Sequence, residues 1–227
     1  MNYLFLDTAS SRVIISVIRN NEIVFTVNLK NDNNLSNKLM VLIDENFKKY
    51  NLKPTDINKI FVVNGPGSFT GIRCGVTVAK TLAFLLNIEI TAISELETMV
   101  SGYDEQVCPI IDARRGYVFA GIYDGVKNLA PDRYISYDEI TKGFKGKIVS
   151  YDYENAYEPK IDILKLVNKH KDESINPHLL VPNYLKKTEA EENLDAKRNQ
   201  WLWFNRYLWL QIFTQRLWKS IRILYWK

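Results

Sequence analysis

The sequence predicts a mixed α/β fold in which an antiparallel group of strands is followed by alternating helices and strands. Three observations support this. Short β-rich runs separated by small polar turns fill the first 30 residues. Apolar positions at helical spacing begin at Leu35, and a glycine-rich loop at 64–71 separates a β-branched run from a second helical pattern. The 227 residues are 46% hydrophobic and 25% charged, as in an ordinary globular protein with one large domain or two small ones.

The first three strands are predicted to form a meander. Residues 3–6 make a short apolar run that ends in the polar turn 7–11, and the second and third strands follow at 13–18 and 22–29. Turns this short between β-rich runs favour antiparallel pairing. The chain therefore begins with three neighbouring strands of one sheet.

Two helices and two strands are predicted next. A helix over 35–50 is followed by a strand at 59–63, a helix over 71–86 and a strand at 88–93. The first helix has apolar residues at helical spacing, namely Leu35, Leu39, Leu42, Ile43 and Phe47. This half of the chain thus has three strands in a meander and then the order α-β-α-β.

The glycine loop after the strand 59–63 contains Gly65, Pro66, Gly67 and Gly71 within seven residues. Glycines let the backbone turn sharply and approach another group closely, because no Cβ is in the way. The helix that follows begins with unpaired N–H groups, which suit either an anion or a packed backbone. The loop is therefore either a phosphate site or a structural turn.

The second helix is more apolar than a helix that buries a single stripe. Its apolar residues cover an arc of roughly 220°, against about 100° for a one-sided helix. They are Ile72, Cys74, Val76, Val78, Ala79, Leu82, Ala83, Leu85 and Leu86. This pattern predicts a second face that packs against another protein. The alternative is that the second domain or the tail of this chain covers that face.

The second half of the chain predicts strands at 107–111 and 117–123 around a charged hairpin at 112–116. Its Arg114 and Arg115 either lie in a solvated turn or face a partner or an RNA phosphate. Residues 131–147 are predicted to be turn-rich, 161–169 a helix and 176–184 a loop. The tyrosines at 134, 137, 151, 153 and 157 lack an RNA-binding spacing and are interpreted as packing and surface residues.

Charge and cysteine content exclude several classes of protein. The net charge of +4 comes from the tail, since residues 196–227 hold seven Lys or Arg and no acid, which leaves about −3 for residues 1–195. The body therefore lacks the basic excess of a stand-alone nucleic-acid binder. Cys74 and Cys108 have neither metal-ligand spacing nor a disulfide framework, which fits a reducing cytosol. We expect no leader peptide and no membrane-spanning helix, and hence a cytoplasmic location.

Four motifs carry a resemblance to a known family. They are DTAS at 7–10, GPGSFTGIRCG at 65–75, IDARRG at 111–116 and PNYLKKTEAE at 182–191. With them, residues 1–193 resemble the bacterial TsaB (YeaZ) family, whose members look like degenerate relatives of the transferase TsaD. The resemblance implies an actin/hexokinase-like (ASKHA) α/β fold with two ribonuclease H-like subdomains, the second reduced. We expect these at 1–103 and 104–194, with a Trp-rich basic tail at 195–227.

The resemblance also implies a function and partners. The chain would be a non-catalytic subunit of the complex that adds threonylcarbamoyl to adenosine 37 of tRNAs reading codons that begin with A. Its partners would be a TsaD-like catalytic subunit, a TsaE-like ATPase and, through the complex, tRNA; alone it could form a homodimer. ATP and a metal are expected in the partner subunits and no cofactor in this one. The partner-binding residues are predicted on the two helices, at Leu39, Ile43, Cys74, Val78, Leu82 and Leu85.

No catalytic or metal-binding residue is predicted in this chain. The helix 35–50 lacks the His-x-x-x-His pair with which TsaD binds its metal, and the chain has only His170 and His178. The turn 8–12 after Asp7 contains no glycine, unlike the phosphate hairpin of related kinases. Gly65, Gly67 and Gly71 are therefore interpreted as a structural turn. The rival hypotheses are a metallopeptidase-like hydrolase and a small kinase of the same superfamily.

The tail differs in composition from the rest of the chain. All five tryptophans lie in the last 27 residues, interleaved with Arg and Lys. One interpretation is an amphipathic segment that contacts a membrane or a partner. Because the change at Ala196 is abrupt and the family pattern ends there, we favour a shifted reading frame or a cloning artefact.

Overall fold

The first sheet has five strands in the order β3-β2-β1-β4-β5. In the computed structural model, which describes residues 1–31 and 35–186, these strands are β1 (Asn2–Asp7), β2 (Arg12–Arg19), β3 (Glu22–Lys30), β4 (Lys59–Gly65) and β5 (Glu89–Ser94). The first three pair antiparallel, whereas β4 is parallel to both β1 and β5. This order and direction define a ribonuclease H-like sheet.

Helices follow the strands as the sequence predicts. Helix α1 (Leu35–Lys49) buries Leu35, Leu39, Ile43 and Phe47 in the core of the first sheet. Helix α2 (Phe69–Leu86) starts two residues earlier than predicted, because the Ser68 side chain accepts a hydrogen bond from the Gly71 N–H and caps the helix. The short helix α3 (Glu95–Val100), which the sequence analysis did not predict, follows β5 directly.

The second sheet has four strands in the order β8-β7-β6-β9. They are β6 (Gln106–Asp112), β7 (Tyr117–Asp124), β8 (Lys127–Ser136) and β9 (Lys147–Val149), with helix α4 (Tyr137–Gly143) between the last two. Strands β6 to β8 pair antiparallel and β9 is parallel to β6, so this sheet repeats the first four strand positions of the first. It has no equivalent of β5 within the described residues, and the prediction of a second, reduced ribonuclease H-like sheet is confirmed.

The prediction of a turn-rich stretch at 131–147 is wrong. It contains the second half of β8 and all of α4. The strand pattern of β8 is hard to recognise in the sequence because β8 is an edge strand with a bulge. At this bulge Pro131 and Asp132 lie opposite the single residue Gly121. Proline is tolerated there, since its missing N–H leaves no ladder hydrogen bond unmade.

Helix α5 (Ile163–His170) returns to the first sheet, where Ile163, Leu166 and Val167 join its core. Residues Met1–Leu185 form one compact unit. The division into subdomains at 1–103 and 104–194 stays a prediction. The tail at 195–227 lies outside the described residues.

Candidate functional site

Helix α2 is held along one side by a late segment of the chain. Residues 178–184, here named the strap, run beside the helix. Lys80 Nζ donates a hydrogen bond to the Leu180 carbonyl oxygen at 2.7 Å, and Arg73 Nε donates to the Tyr184 hydroxyl at 3.1 Å. Tyr184 also stacks on Phe69, with ring centroids 5.0 Å apart. The two basic residues of α2 therefore hold the strap.

A second side of α2 stays uncovered by the described part of this chain. Leu85 lies on this side and is 70% exposed, which is unusual for a large apolar side chain. Phe84 is 60% exposed, but it lies one helical turn after Lys80, on the side of the strap, and contacts the ring of His178. Of the predicted partner-binding residues on α2, Cys74, Val78 and Leu82 are half-buried and pack against the core. Leu85 is thus the most accessible of the four.

The remaining predicted partner-binding residues, Leu39 and Ile43, are buried in the first core. Helical periodicity places both residues on the apolar face of α1. That face packs on the first sheet, so its side chains do not reach the surface of this chain. The accessible apolar residues of α1 are instead Met40 and Val41. Neither was singled out from the sequence.

An apolar groove lies between α1 and α2. Its volume is about 280 Å³. Its walls include Met40, Phe47, Pro54, Leu82 and Leu86. Such a groove can accept side chains of a partner.

Among the described residues, α2 is the one helix that is long and apolar enough to cross a membrane by length and composition alone. One third of its residues are buried, and these pack on the first sheet.

A larger cavity, of about 810 Å³, opens where the loops after β1, β4 and β6 meet. Its lining includes Ser10, Thr70, Asp112, Arg114, Phe119 and Tyr151. The lining combines hydroxyl groups and the first residues of α2 with apolar and aromatic side chains. The glycine loop therefore borders this cavity.

Two glycines of the loop, Gly67 and Gly71, lie against the backbone of the turn that follows β1, whereas Gly65 lies against the carbonyl oxygen of Asn183 in the strap. A Cβ on Gly71 would overlap the carbonyl oxygen of Thr8, and a Cβ on Gly67 would overlap that of Ala9. Thr8 Oγ1 donates a hydrogen bond to the Gly71 carbonyl oxygen at 2.7 Å. These contacts give the loop a packing role, since only glycine lets the two backbones approach so closely.

A pair of carboxyl groups is buried near this turn. Asp7 ends β1 and Glu95 begins α3, and both are fully buried. Asp7 Oδ2 and both carboxyl oxygens of Glu95 lack a hydrogen-bond partner within the described residues. Burial raises the pKa of Asp7 to about 6, although the Ala9 N–H opposes this. Burial and then the neighbouring Asp7 raise the pKa of Glu95 well above its usual range.

Asp7 can be singled out from the sequence, whereas Glu95 cannot. In the sequence Glu95 looks like an ordinary acidic residue at a helix start, and only the fold brings it to Asp7. Because one carboxyl group of such a pair keeps its proton, the pair is chemically a proton store. The described residues show no group of three or more His, Cys, Asp or Glu that could hold a metal.

The two histidines serve packing and ion pairing. His170 Nε2 lies 2.8 Å from Glu97 Oε1 and its Nδ1 lies 2.9 Å from Glu173 Oε2. Burial lowers the pKa of His170, but the hydrogen bonds to the two glutamates outweigh it and raise the pKa overall. His178 lies edge-on to Phe84, with ring centroids 5.2 Å apart.

Comparison with solved structures identifies the fold. The chain superposes on a Pseudomonas aeruginosa protein described as uncharacterized with similarity to peptidase YeaZ, with a TM-score of 0.71 and 18% identity over 82% of this chain and 99% of that one. A second structure, YeaZ from Pseudomonas aeruginosa, gives a TM-score of 0.70 with 18% identity over 81% of this chain and 99% of that one. The fold is therefore the actin/hexokinase-like α/β fold expected from the sequence.

Sequence comparison identifies the family. The family model of TsaD, tRNA N6-adenosine threonylcarbamoyltransferase, matches residues 29–163. TsaB of Escherichia coli is 38% identical over 79 residues, which cover 33% of this chain and 34% of that protein. The tRNA threonylcarbamoyladenosine biosynthesis protein TsaB of Bacillus subtilis is 31% identical over 228 residues, covering 84% of this chain and 96% of that protein. With agreement in sequence along nearly the whole Bacillus protein, the chain belongs to the TsaB family.

Proposed function

We propose that this chain is a non-catalytic subunit in the biosynthesis of threonylcarbamoyladenosine at position 37 of tRNA, where it binds and supports a TsaD-like catalytic subunit. The observation that carries this proposal is the uncovered apolar surface of α1 and α2 in a member of the TsaB family. Large apolar residues left exposed on neighbouring helices are typical of a protein interface. We name this surface, formed by Met40, Val41 and Leu85, the helical face.

A TsaD-like subunit fits the helical face because the TsaD family model covers both helices of this chain. Such a partner carries equivalents of α1 and α2, and two matching helix pairs can pack around an approximate two-fold axis. The groove between the helices then receives apolar side chains of the partner. A second copy of this chain could pack on the helical face in the same way, so a homodimer competes with the complex of this chain and the TsaD-like subunit.

The catalytic parts of the reaction belong, in this proposal, to the other subunits. The described residues offer no group that could hold a metal, and the glycine loop is occupied by packing against Thr8 and Ala9. The TsaD-like subunit supplies the metal and the transfer step, a TsaE-like ATPase uses ATP, and tRNA is bound by the assembly. Burial raises the pKa of the Cys108 thiol to about 12, which keeps it unreactive in the reducing cytoplasm that we propose as its location.

The test is co-purification of the tagged chain with a TsaD-like subunit from the same organism, combined with a reconstituted modification assay. Leu85→Glu places a charge on the helical face and is expected to weaken the complex about 30-fold or more, as for a hot-spot residue of about 2 kcal/mol. The assay, with the other subunits supplied, should lose adenosine-37 modification in parallel.

Leu129→Glu is the matched control. Leu129 is also an exposed leucine, 43% accessible, but it lies on β8 of the second sheet. It should bind like the wild type, and circular dichroism should show both variants folded. If Leu85→Glu binds the TsaD-like subunit normally, or disrupts only a homodimer, the proposed interface is wrong.

A further inference from the structure

The turn between β6 and β7 presents two arginines on a rigid backbone. Arg114, Arg115 and Gly116 all have left-handed conformations, with φ of 66°, 56° and 76°. The Ala113 N–H donates to the Tyr117 carbonyl oxygen at 2.9 Å, which closes the turn. From outside the turn, the Tyr137 N–H donates to the Gly116 carbonyl oxygen at 2.9 Å. The backbone that carries the two arginines is therefore held in one conformation by its own hydrogen bonds.

Both guanidinium groups are free within the described part of the chain. Arg114 and Arg115 are exposed, and neither side chain makes a hydrogen bond or an ion pair with any residue from 1–31 or 35–186. An unpaired arginine at the surface is ordinary, but two on consecutive left-handed residues are not. Arg114 also lines the larger cavity, so the turn borders it.

Aromatic side chains lead from the cavity to this turn. Phe119 lines the cavity, and its ring centroid lies 5.9 Å from that of Tyr134. Tyr134 in turn stacks on Tyr117, with centroids 4.8 Å apart and planes within 10°. Tyr117 is 41% exposed and follows Gly116 directly. A partly exposed aromatic ring thus directly follows the arginine turn in the chain.

Nearby acids limit the positive region to the tip of the turn. One oxygen of Asp112 accepts the Arg114 N–H at 3.0 Å, and one oxygen of Asp152 accepts the Asp112 N–H at 2.9 Å. Asp138 and Glu139 lie at the start of α4, and both are exposed. The positive charges that the turn itself offers to a ligand are therefore those of Arg114 and Arg115.

We propose that this turn binds the phosphate backbone of an RNA, with Tyr117 offering its ring to an unpaired base. The guanidinium group is a planar fork of donors that matches phosphate oxygens, and exposed aromatic rings beside arginines are typical of surfaces that bind single-stranded RNA. An acidic peptide would use the charges but not the ring. This inference rests on the proposed function, which brings a tRNA to the complex.

The experiment measures binding of a fluorescein-labelled tRNA to the full-length chain by fluorescence anisotropy at several salt concentrations. In Arg114→Ala/Arg115→Ala we expect an affinity at least fivefold weaker. The slope of log K against log salt should become shallower by about 0.7 to 0.9 for each phosphate that the variant no longer neutralises. Tyr117→Ala should weaken binding while leaving the salt slope unchanged, because stacking releases no counterions.

Lys127→Ala/Lys171→Ala removes the same charge from exposed residues elsewhere and serves as the control. Lys127 begins β8, at the opposite end of β7 from the arginine turn. This control should keep the wild-type salt slope. Equal losses of affinity in both double variants would show a general charge effect and overturn the inference, as would unchanged RNA binding in the arginine variant.

Binding to the TsaD-like subunit is measured for the same variants, which separates this inference from the proposed function. We expect the arginine variant to form that complex normally. If it instead fails to form the protein complex and keeps RNA binding, the turn binds a protein and the inference is wrong. If the wild-type chain fails to bind a TsaD-like subunit, the proposed function fails while the RNA measurement still decides the role of the turn.

Discussion

Lys80 Nζ lies 2.7 Å from the carbonyl oxygen of Leu180 and joins the middle of α2 to the strap. The same ammonium group reaches the His178 carbonyl oxygen at 3.5 Å. Leu180 itself is buried in the first core. One lysine therefore helps to hold a late segment of chain against a helix that would otherwise expose two sides.

Replacing Lys80 by Met should loosen the strap. The substitution keeps the aliphatic stem but removes the charged donor, so the free energy of unfolding should fall by about 1 kcal/mol. Hydrogen exchange followed by mass spectrometry should show faster exchange in 178–184. Lys142→Met, at an exposed residue of α4, is the control and should change neither quantity. Unchanged exchange in the strap of the Lys80 variant would contradict this prediction.

Stability should depend on pH through the buried pair Asp7 and Glu95. Burial raises the pKa of Asp7 from 3.8 to about 6 and that of Glu95 above its ordinary 4.5. The folded chain thus holds protons that the unfolded chain releases, so the free energy of unfolding falls as pH rises through this interval. For Asp7 the rise of about two units corresponds to roughly 3 kcal/mol.

Glu95→Gln tests this dependence by removing one titrating group without changing its shape. The variant should be more stable than the wild type at pH 8 and close to it at pH 4.5, because Gln stays neutral throughout. Urea denaturation at the two pH values measures the difference. Glu139→Gln, at an exposed residue, should track the wild type. A Glu95 variant with the wild-type pH profile would show that the pair does not store a proton.

The close approach between Gly71 and Thr8 gives a further prediction. Gly71→Ala should lower the free energy of unfolding by about 1–3 kcal/mol, since the added Cβ overlaps a backbone oxygen that cannot move aside easily. Gly143→Ala is the matched control, because nothing lies within 4 Å of a Cβ there. Chemical denaturation of the two variants should separate them clearly. Equal stabilities would mean that the loop is looser than its packing indicates.

The order of elements in the first sheet was predictable because strands and helices there have uninterrupted signals. Central strands such as β4 are buried on both sides and show as runs of apolar residues. The edge strand β8 alternates in burial and carries Pro131, so its signal was weak. The pattern of apolar residues thus predicted the strands that are buried in the core, but not the edge strand β8.

The site was less predictable because its residues are distant in sequence. Periodicity identified Leu39 and Ile43 as apolar but could not say that the sheet of this chain covers them. Nothing in the sequence shows that the strap packs on the side of α2 that carries Arg73 and Lys80. Glu95 gained its role only through its position beside Asp7. In each case the missing information was which element lies opposite.

The strap follows Lys80 by about one hundred residues. A ribosome that has just released α2 must therefore complete the whole second sheet before the covering segment exists. Until then two sides of the apolar helix α2 are exposed in the nascent chain, and a chaperone or a helix of a partner protein can bind to either side.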